Sequence, residues 1–400
     1  MATTAEYLNK LVEQKNTLAD NLVAKGVTAS HDETLKTLVP KVLEISSGTA
    51  DSGIYPIGET GRPAGDVIVP EGVVTLSSTI FKDDSDVTSI TLPSSLTGLN
   101  ESCFSGCTSL QSINIPYNVS NIPNYCFYNC ANLSSISGQD SFSNTSIGDN
   151  AFYNCSQLPT FTISNTCTSI GRYAFAYCNQ LQNISIQENA KYILNECAFA
   201  YCDVLTNNDI ANIVNQSSEI YPYIFSECMG ITNVEVRIFW TAMFKRCVNL
   251  VSAKAINSAK NGTGNEVFYG CTSLEEVYLA DGTPIIGSAV FKDCSSLKMV
   301  YLPSSITIAT DSSLTDTSGY YYVFNNCTAL EDVQLGQDWN MSLRLNVSNN
   351  LTVDSMVAMF NSLKDLTGET AKTLTLGSTN LAKLTDEQKA IAINKNWTLA

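Results

Sequence analysis

Ile170-Gly171-Arg172-Tyr173-Ala174-Phe175-Ala176-Tyr177-Cys178-Asn179-Gln180-Leu181 decides the fold, because its inner spacing Phe-x-x-Cys-x-x-Leu recurs along most of the chain. Toward the amino terminus it returns as Phe152/Cys155/Leu158, Phe127/Cys130/Leu133 and Phe104/Cys107/Leu110. Toward the carboxyl terminus it returns as Phe199/Cys202/Leu205, Phe225/Cys228/Ile231, Phe244/Cys247/Leu250, Phe268/Cys271/Leu274, Phe291/Cys294/Leu297 and Phe324/Cys327/Leu330. Phe81/Asp84/Val87 is a degenerate first copy with a carboxylate in place of sulfur, as expected of a terminal unit with one side to solvent. Counting it gives eleven copies.

Successive phenylalanines lie mostly 23 to 25 residues apart, a period inside the range of leucine-rich repeats and below that of helical-pair repeats or propeller blades. Three residues after the Leu comes a short alternation, as in Ile90-Thr91-Leu92, Ile113-Asn114-Ile115, Val277-Tyr278-Leu279 and Val300-Tyr301-Leu302. Apolar, polar, apolar at period two is a half-buried strand. Pro93, Pro116 and Pro303 close such strands, since proline has no N–H for the next ladder bond. A second apolar pulse precedes the Phe, as in Ile147-Gly148, Ile170-Gly171 and Ile286-Gly287, where Gly suits a corner. One unit cannot bury its own Phe and Leu, so the units must stack into a continuous core. Eleven coils at strand spacing predict a rod on the order of 50 Å long. Four places break the pattern: Leu205 is followed by Asn207-Asn208-Asp209, Leu250 by the weak Ala253-Lys254-Ala255, the Phe225 to Phe244 step is short by several residues, and about ten extra residues lie around Asp311 to Gly319.

The Ile170 to Leu181 run resembles the BspA-type leucine-rich repeat, over about residues 66 to 345. The resemblance implies a right-handed solenoid-like horseshoe of the kind used in bacterial surface adhesion and found in tail and receptor-binding proteins of phages and prophages. The expected fold is thus a β-rich repeat solenoid, a BspA-like array with a helical amino-terminal segment and an α+β carboxyl-terminal cap. Its expected divisions are a helical hairpin over 1–47, a linker over 48–65, the solenoid over 66–346 and the cap over 347–400.

In the amino-terminal segment Thr3-x-x-Glu6 and Ser30-x-x-Glu33 match the capping box, and Leu8, Leu11, Leu18 and Leu22 form one apolar stripe. The stripe spans only about two heptads, so a packed hairpin is favoured over a coiled coil that would make a homo-oligomer through residues 1–47. In the cap, Met356, Val357, Met359, Phe360 and Leu363 share a helical stripe, Thr373 to Leu376 reads as a strand, and Thr385-x-x-Gln388 is another capping box. Such a segment would cover the open edge of the last coil. The Tyr7 to Val12 run and the Leu384 to Lys389 run resemble modules of phage tail and prophage proteins of Gram-positive bacteria.

A net charge of -16, with 22 basic residues against 38 acidic ones, excludes the clustered cationic footprint that nucleic acid requires. No stretch approaches the ~18 consecutive apolar residues of a membrane span. The start has no basic region followed by an unbroken apolar run, so the expected product is made in the cytoplasm without a signal peptide and then carried on a virion or, alternatively, a cell surface. His31 is the single histidine, which removes Ser/His/Asp relays and histidine metal clusters, and no Lys-bearing phosphate loop is present. No enzyme activity and no cofactor are expected. Ten of the fourteen cysteines share one repeat position and read as buried free thiols. Cys103 and Cys126, with Cys107 and Cys130, could in principle form a tetrathiolate zinc site. Their position is filled by Ala151, Ala174, Val267 and Val290 in other coils, so they read as apolar fillers and no metal is expected.

If the apolar strand residues face the core, the middle ones face out. Glu235, Tyr278, Tyr301 and Gln334 are then the expected ligand-binding residues, with Tyr278 and Tyr301 stacked on neighbouring coils. The expected partner is a protein or a cell-surface glycan, and a plain cross-strand stabilising pair is the competing reading.

Overall fold

The computed structural model describes residues 15–21, 30, 55–57, 63–78, 80–138, 145–257, 262–309 and 323–400. Residues 15–21 are helical. The capping boxes at Thr3 and Ser30, the oligomerisation expected of residues 1–47 and the insertion at Asp311 to Gly319 lie outside the described residues. Within 48–65, Tyr55–Ile57 pairs antiparallel with Pro63–Ile68.

The repeat builds a parallel β-solenoid. Its centre is a column of the eleven phenylalanines, each no more than 2% exposed. From Phe81 to Phe324 consecutive rings lie near-parallel with centroids 5.1 to 6.0 Å apart. Parallel rings at that separation are displaced sideways, the arrangement their quadrupoles favour. The sulfur column runs beside them. In all ten coils that carry it, the Cys thiol donates to the Phe carbonyl of the coil before, at 2.9 to 3.2 Å. In eight of those coils the Cys N–H donates to the Phe carbonyl of its own coil, as Cys178 does to Phe175, while the Cys202 N–H donates to the Cys228 sulfur. One carbonyl thus serves two coils, and the sulfur is a donor as well as a filler.

Two rows of short parallel strands flank the column. The row after the Leu runs in register, with Ser89, Ser112 and Ser135 opposed and, farther on, Val234, Ala253, Val277, Val300 and Val333. The row before the Phe joins Thr75–Leu76 to Gly98–Leu99, Ile122 to Ile147 and Ile170, and Ile285–Ile286 to Ile308–Ala309. At its corner Gly171 is needed for close approach: a Cβ there would meet the Gly148 carbonyl carbon at 2.4 Å. Pro93, Pro116 and Pro303 each accept from the N–H three residues on, so they open a turn as they end a strand.

At Asn207–Gln216 the strand is replaced by a helix that packs on Asn233–Val236. Thr206 and Asp209 form a reciprocal capping box, and the second oxygen of Asp209 accepts from Ile184 N–H at 2.9 Å. Past residue 346 the stacking continues in longer, helix-bearing coils. Leu345, Ser348 and Leu351 are buried at Phe-x-x-Cys-x-x-Leu spacing, with the Ser348 hydroxyl donating to the Thr328 and Leu330 carbonyls at 2.9 Å. Leu343–Arg344, Lys372–Thr375 and Trp397–Leu399 form the last parallel sheet, while Val353–Ser362 and Asp386–Ile393 are helices.

Candidate binding site

The strand face places Glu235, Tyr278, Tyr301 and Gln334 in one row, with Lys254 between the first two. Lys254 holds Glu235 at 3.0 Å. The Tyr301 hydroxyl turns to Asp281 at 2.6 Å, and Gln334 donates to Asp332 at 2.8 Å. Glu235, Tyr278 and Gln334 are exposed and Tyr301 half-buried, and the polar ends of Glu235, Tyr301 and Gln334 are occupied by these neighbours. Burial, with Asp281 second, pushes the Tyr301 phenol up to about 12.

The concave feature lies elsewhere, on the turn that carries the Phe and Cys. Alternate residues there donate their N–H groups to the following coil: Tyr173 to Glu196, Phe175 to Ala198 and Tyr177 to Ala200. Aiming three alternate N–H groups along the axis around a tight turn requires left-handed backbone two residues before and two residues after the Phe. Gly106, Asn129, Asn154, Gly270 and Asn326 hold positive φ at the second position, and so do Asp83, Glu227, Arg246 and Asp293, so the conformation belongs to the repeat and not to one residue type. In the middle coils tyrosine stands there instead: Tyr125, Tyr173 and Tyr223 before the Phe, Tyr177 and Tyr201 after it, with φ between 53 and 64°.

Together with Tyr128 and Tyr153 these side chains line a cleft of about 730 Å³. Tyr128 stacks on Tyr153 at 5.0 Å and Tyr177 on Tyr201 at 4.2 Å, while Tyr153 and Tyr177 meet edge-to-face at 60°. The floor is Ala176, Ala200 and Cys197. At the margins Arg172 pairs with Glu196 at 2.8 Å, Lys245 with Glu266 at 2.6 Å and Arg246 with Glu227 at 3.8 Å. The Lys245 ammonium also lies 5.5 Å from the centroid of Tyr223 and 5.0 Å from that of Tyr269. A hydrogen bond with Cys197 pushes the Tyr173 phenol up to about 12. Burial, followed by Tyr177 and Glu227, raises Tyr201, and burial beside Tyr177 and Tyr128 raises Tyr153. These phenols therefore keep their protons, which are engaged with Cys197, Tyr177 and Glu227.

Cys103 and Cys126 bring their sulfurs to 3.6 Å, both fully buried, while Cys107 and Cys130 turn to the Phe81 and Phe104 carbonyls. Among the described residues no group of three or more His, Cys, Asp or Glu is placed to hold a metal ion, and no helix is long and apolar enough to cross a membrane.

A family profile described as the BspA type leucine rich repeat region (6 copies) matches residues 64–144, 139–251, 218–321 and 242–344. The chain belongs to the BspA-type leucine-rich repeat family. None of the curated proteins compared matches it. Among solved structures it is similar to a leucine-rich repeat protein from Bacteroides ovatus ATCC 8483, at 20% identity and a TM-score of 0.52, over 87% of this chain and 97% of that one. It is also similar to a leucine rich cell surface protein from Faecalibacterium prausnitzii A2-165, at 20% identity and a TM-score of 0.42, over 72% and 94% of the two chains. A third likeness is to the pneumococcal vaccine antigen PcpA, at 15% identity and a TM-score of 0.42, over 86% and 90%. The Bacteroides ovatus likeness is one of fold. In this BspA-type array the turn tyrosines are what sequence reasoning passed over. The available signal was the run of tyrosines within and just before the x-x pair of Phe-x-x-Cys in the middle coils.

Proposed function

We propose that this BspA-type solenoid is a non-catalytic recognition protein, a phage or prophage tail-associated component that presents its turn-edge cleft to a protein or glycan on a bacterial host. The observation that carries the reading is the convergence of seven tyrosines into one cleft across consecutive coils. Tyrosine offers a rigid apolar face and a polar tip, and solenoids present extended concave surfaces of this kind. The tail assignment rests on the Tyr7 to Val12 and Leu384 to Lys389 runs, with synthesis in the cytoplasm and carriage on the virion. Glu235, Tyr278, Tyr301 and Gln334 form a second contact row.

Membership of the BspA-type family favours a second reading, a secreted surface adhesin binding host protein or glycan. Mass spectrometry of purified particles from an induced lysogen, beside the cell-surface fraction, separates the two. Peptides of this chain in particles support the tail reading, and peptides confined to the cell surface support the adhesin. Recognition itself is tested by binding of the labelled chain to bacterial cells. Tyr177→Asn with Tyr201→Asn is expected to lower that binding at least tenfold, and unchanged binding would remove the cleft as the site.

A further inference from the structure

From the lining of the tyrosine cleft we infer that its ligand is a neutral glycan chain lying along the solenoid axis. The inference rests on the cleft being the recognition site and adds the chemistry of what it takes. The charged groups at its margin are already matched: Arg172 with Glu196, Lys245 with Glu266, and Arg246 with Glu227. An acidic or basic polymer would have to displace one of these partners, so the lining gives net charge no advantage. The apolar surface consists of phenol rings. The cleft is lined by no Leu, Ile, Val or Met, so an amphipathic helix or an aliphatic peptide finds nothing of its own kind to pack against.

A pyranose has a flat C–H face and a rim of hydroxyls, and phenols match both. The edge-to-face step between Tyr153 and Tyr177 breaks the stack and leaves ring surface at an angle, where a sugar face can lie. The cleft runs from the coil of Phe127 to the coil of Phe244, six coils at roughly 5 Å each. That spacing is comparable to the advance per sugar in an extended glycan, so successive coils can meet successive sugars.

The test is a glycan array carrying neutral and acidic glycans, followed by titration calorimetry with maltohexaose, cellohexaose, chitohexaose and the shorter homologues of whichever binds. Polyproline peptide is the peptide probe. A neutral glycan is expected to bind, with affinity rising with length to about six sugars. Binding should fall at least tenfold in the full-length Tyr177→Asn/Tyr201→Asn variant and stay unchanged in Tyr117→Ser, an exposed tyrosine outside the cleft. Thermal unfolding of each variant shows whether it is folded. No neutral binding, or binding confined to acidic glycans, overturns the glycan assignment. Polyproline binding that is lost in the double variant overturns the glycan class while the cleft stands. Glycan binding that the double variant retains overturns the glycan assignment and the cleft together.

Discussion

Tyr177 and Tyr201 sit at φ 62 and 60°, so each spends about 1 kcal/mol of backbone strain that Asn in the same place, as at Asn129 and Asn154, largely avoids. Their mutual stacking at 4.2 Å returns roughly 0.5–1.5 kcal/mol. Tyr177→Asn with Tyr201→Asn is therefore expected to change stability by no more than about 1 kcal/mol in either direction, measured by denaturant unfolding. The core column behaves differently. Cys178→Ala removes a buried sulfur and its bond to the Phe152 carbonyl, which keeps the Cys155 N–H, so a cost of about 1–2 kcal/mol is expected. A smaller cost than for the double Tyr variant would show the thiol to be idle. Phe and Cys were legible because each recurs at one period and one position. The cleft was not, since x-x residues in a turn have no alternation to say which way they point. Gly106, Asn129, Asn150, Asn154, Gly270 and Asn326 hint at the conformation, but Glu227, Ala242 and Arg246 hold it as well, so residue type marks it only in part.

Strands after the Leu could be read from period two alone, and Val277 and Val300 fall buried with Tyr278 and Tyr301 outward. Ala253-Lys254-Ala255 is a strand despite two alanines, because Val234 and Val277 fix its register on both sides and Lys254 meets Glu235. Here tertiary pairing overrides weak local preference. Asn207-Asn208-Asp209 showed only that a strand was missing. The helix that replaces it depends on Thr206 and on Asp209, whose carboxylate caps the helix and also holds the Ile184 N–H of the neighbouring coil. Thr206→Ala is expected to cost about 1 kcal/mol as a lost cap. Asp209→Ala, which leaves the buried Ile184 N–H without its acceptor, should cost about 2–3 kcal/mol. Equal losses in chemical denaturation would show that the bond between coils contributes nothing.

Across the whole molecule the thiol column links stability to pH. All fourteen cysteines are free and buried. Burial raises the thiols of Cys130, Cys155, Cys178, Cys202, Cys228, Cys247, Cys271, Cys294 and Cys327, nine positions of one column, and Cys167 is pushed up to about 11. Below the unfolded thiol value of ~8.5 both states hold these protons, and the folded state gains or loses nothing as pH changes. Above it the unfolded chain releases them while the folded chain does not, so each thiol lowers stability by up to ~1.4 kcal/mol per pH unit. Because each coil is stable only through its neighbours, the losses add along one array and do not isolate one region. Thermal unfolding from pH 7 to 10.5 should therefore show a midpoint that holds to about pH 8.5 and then falls steeply. In native protein the ten column cysteines should resist a thiol reagent that labels them once denaturant is added, whereas Cys197 lines the cleft and stands apart from that test. A flat midpoint through pH 10, or ready labelling of the column cysteines in native protein, would place the sulfurs in water and break the link between the Phe and Cys columns on which the packing of every coil depends.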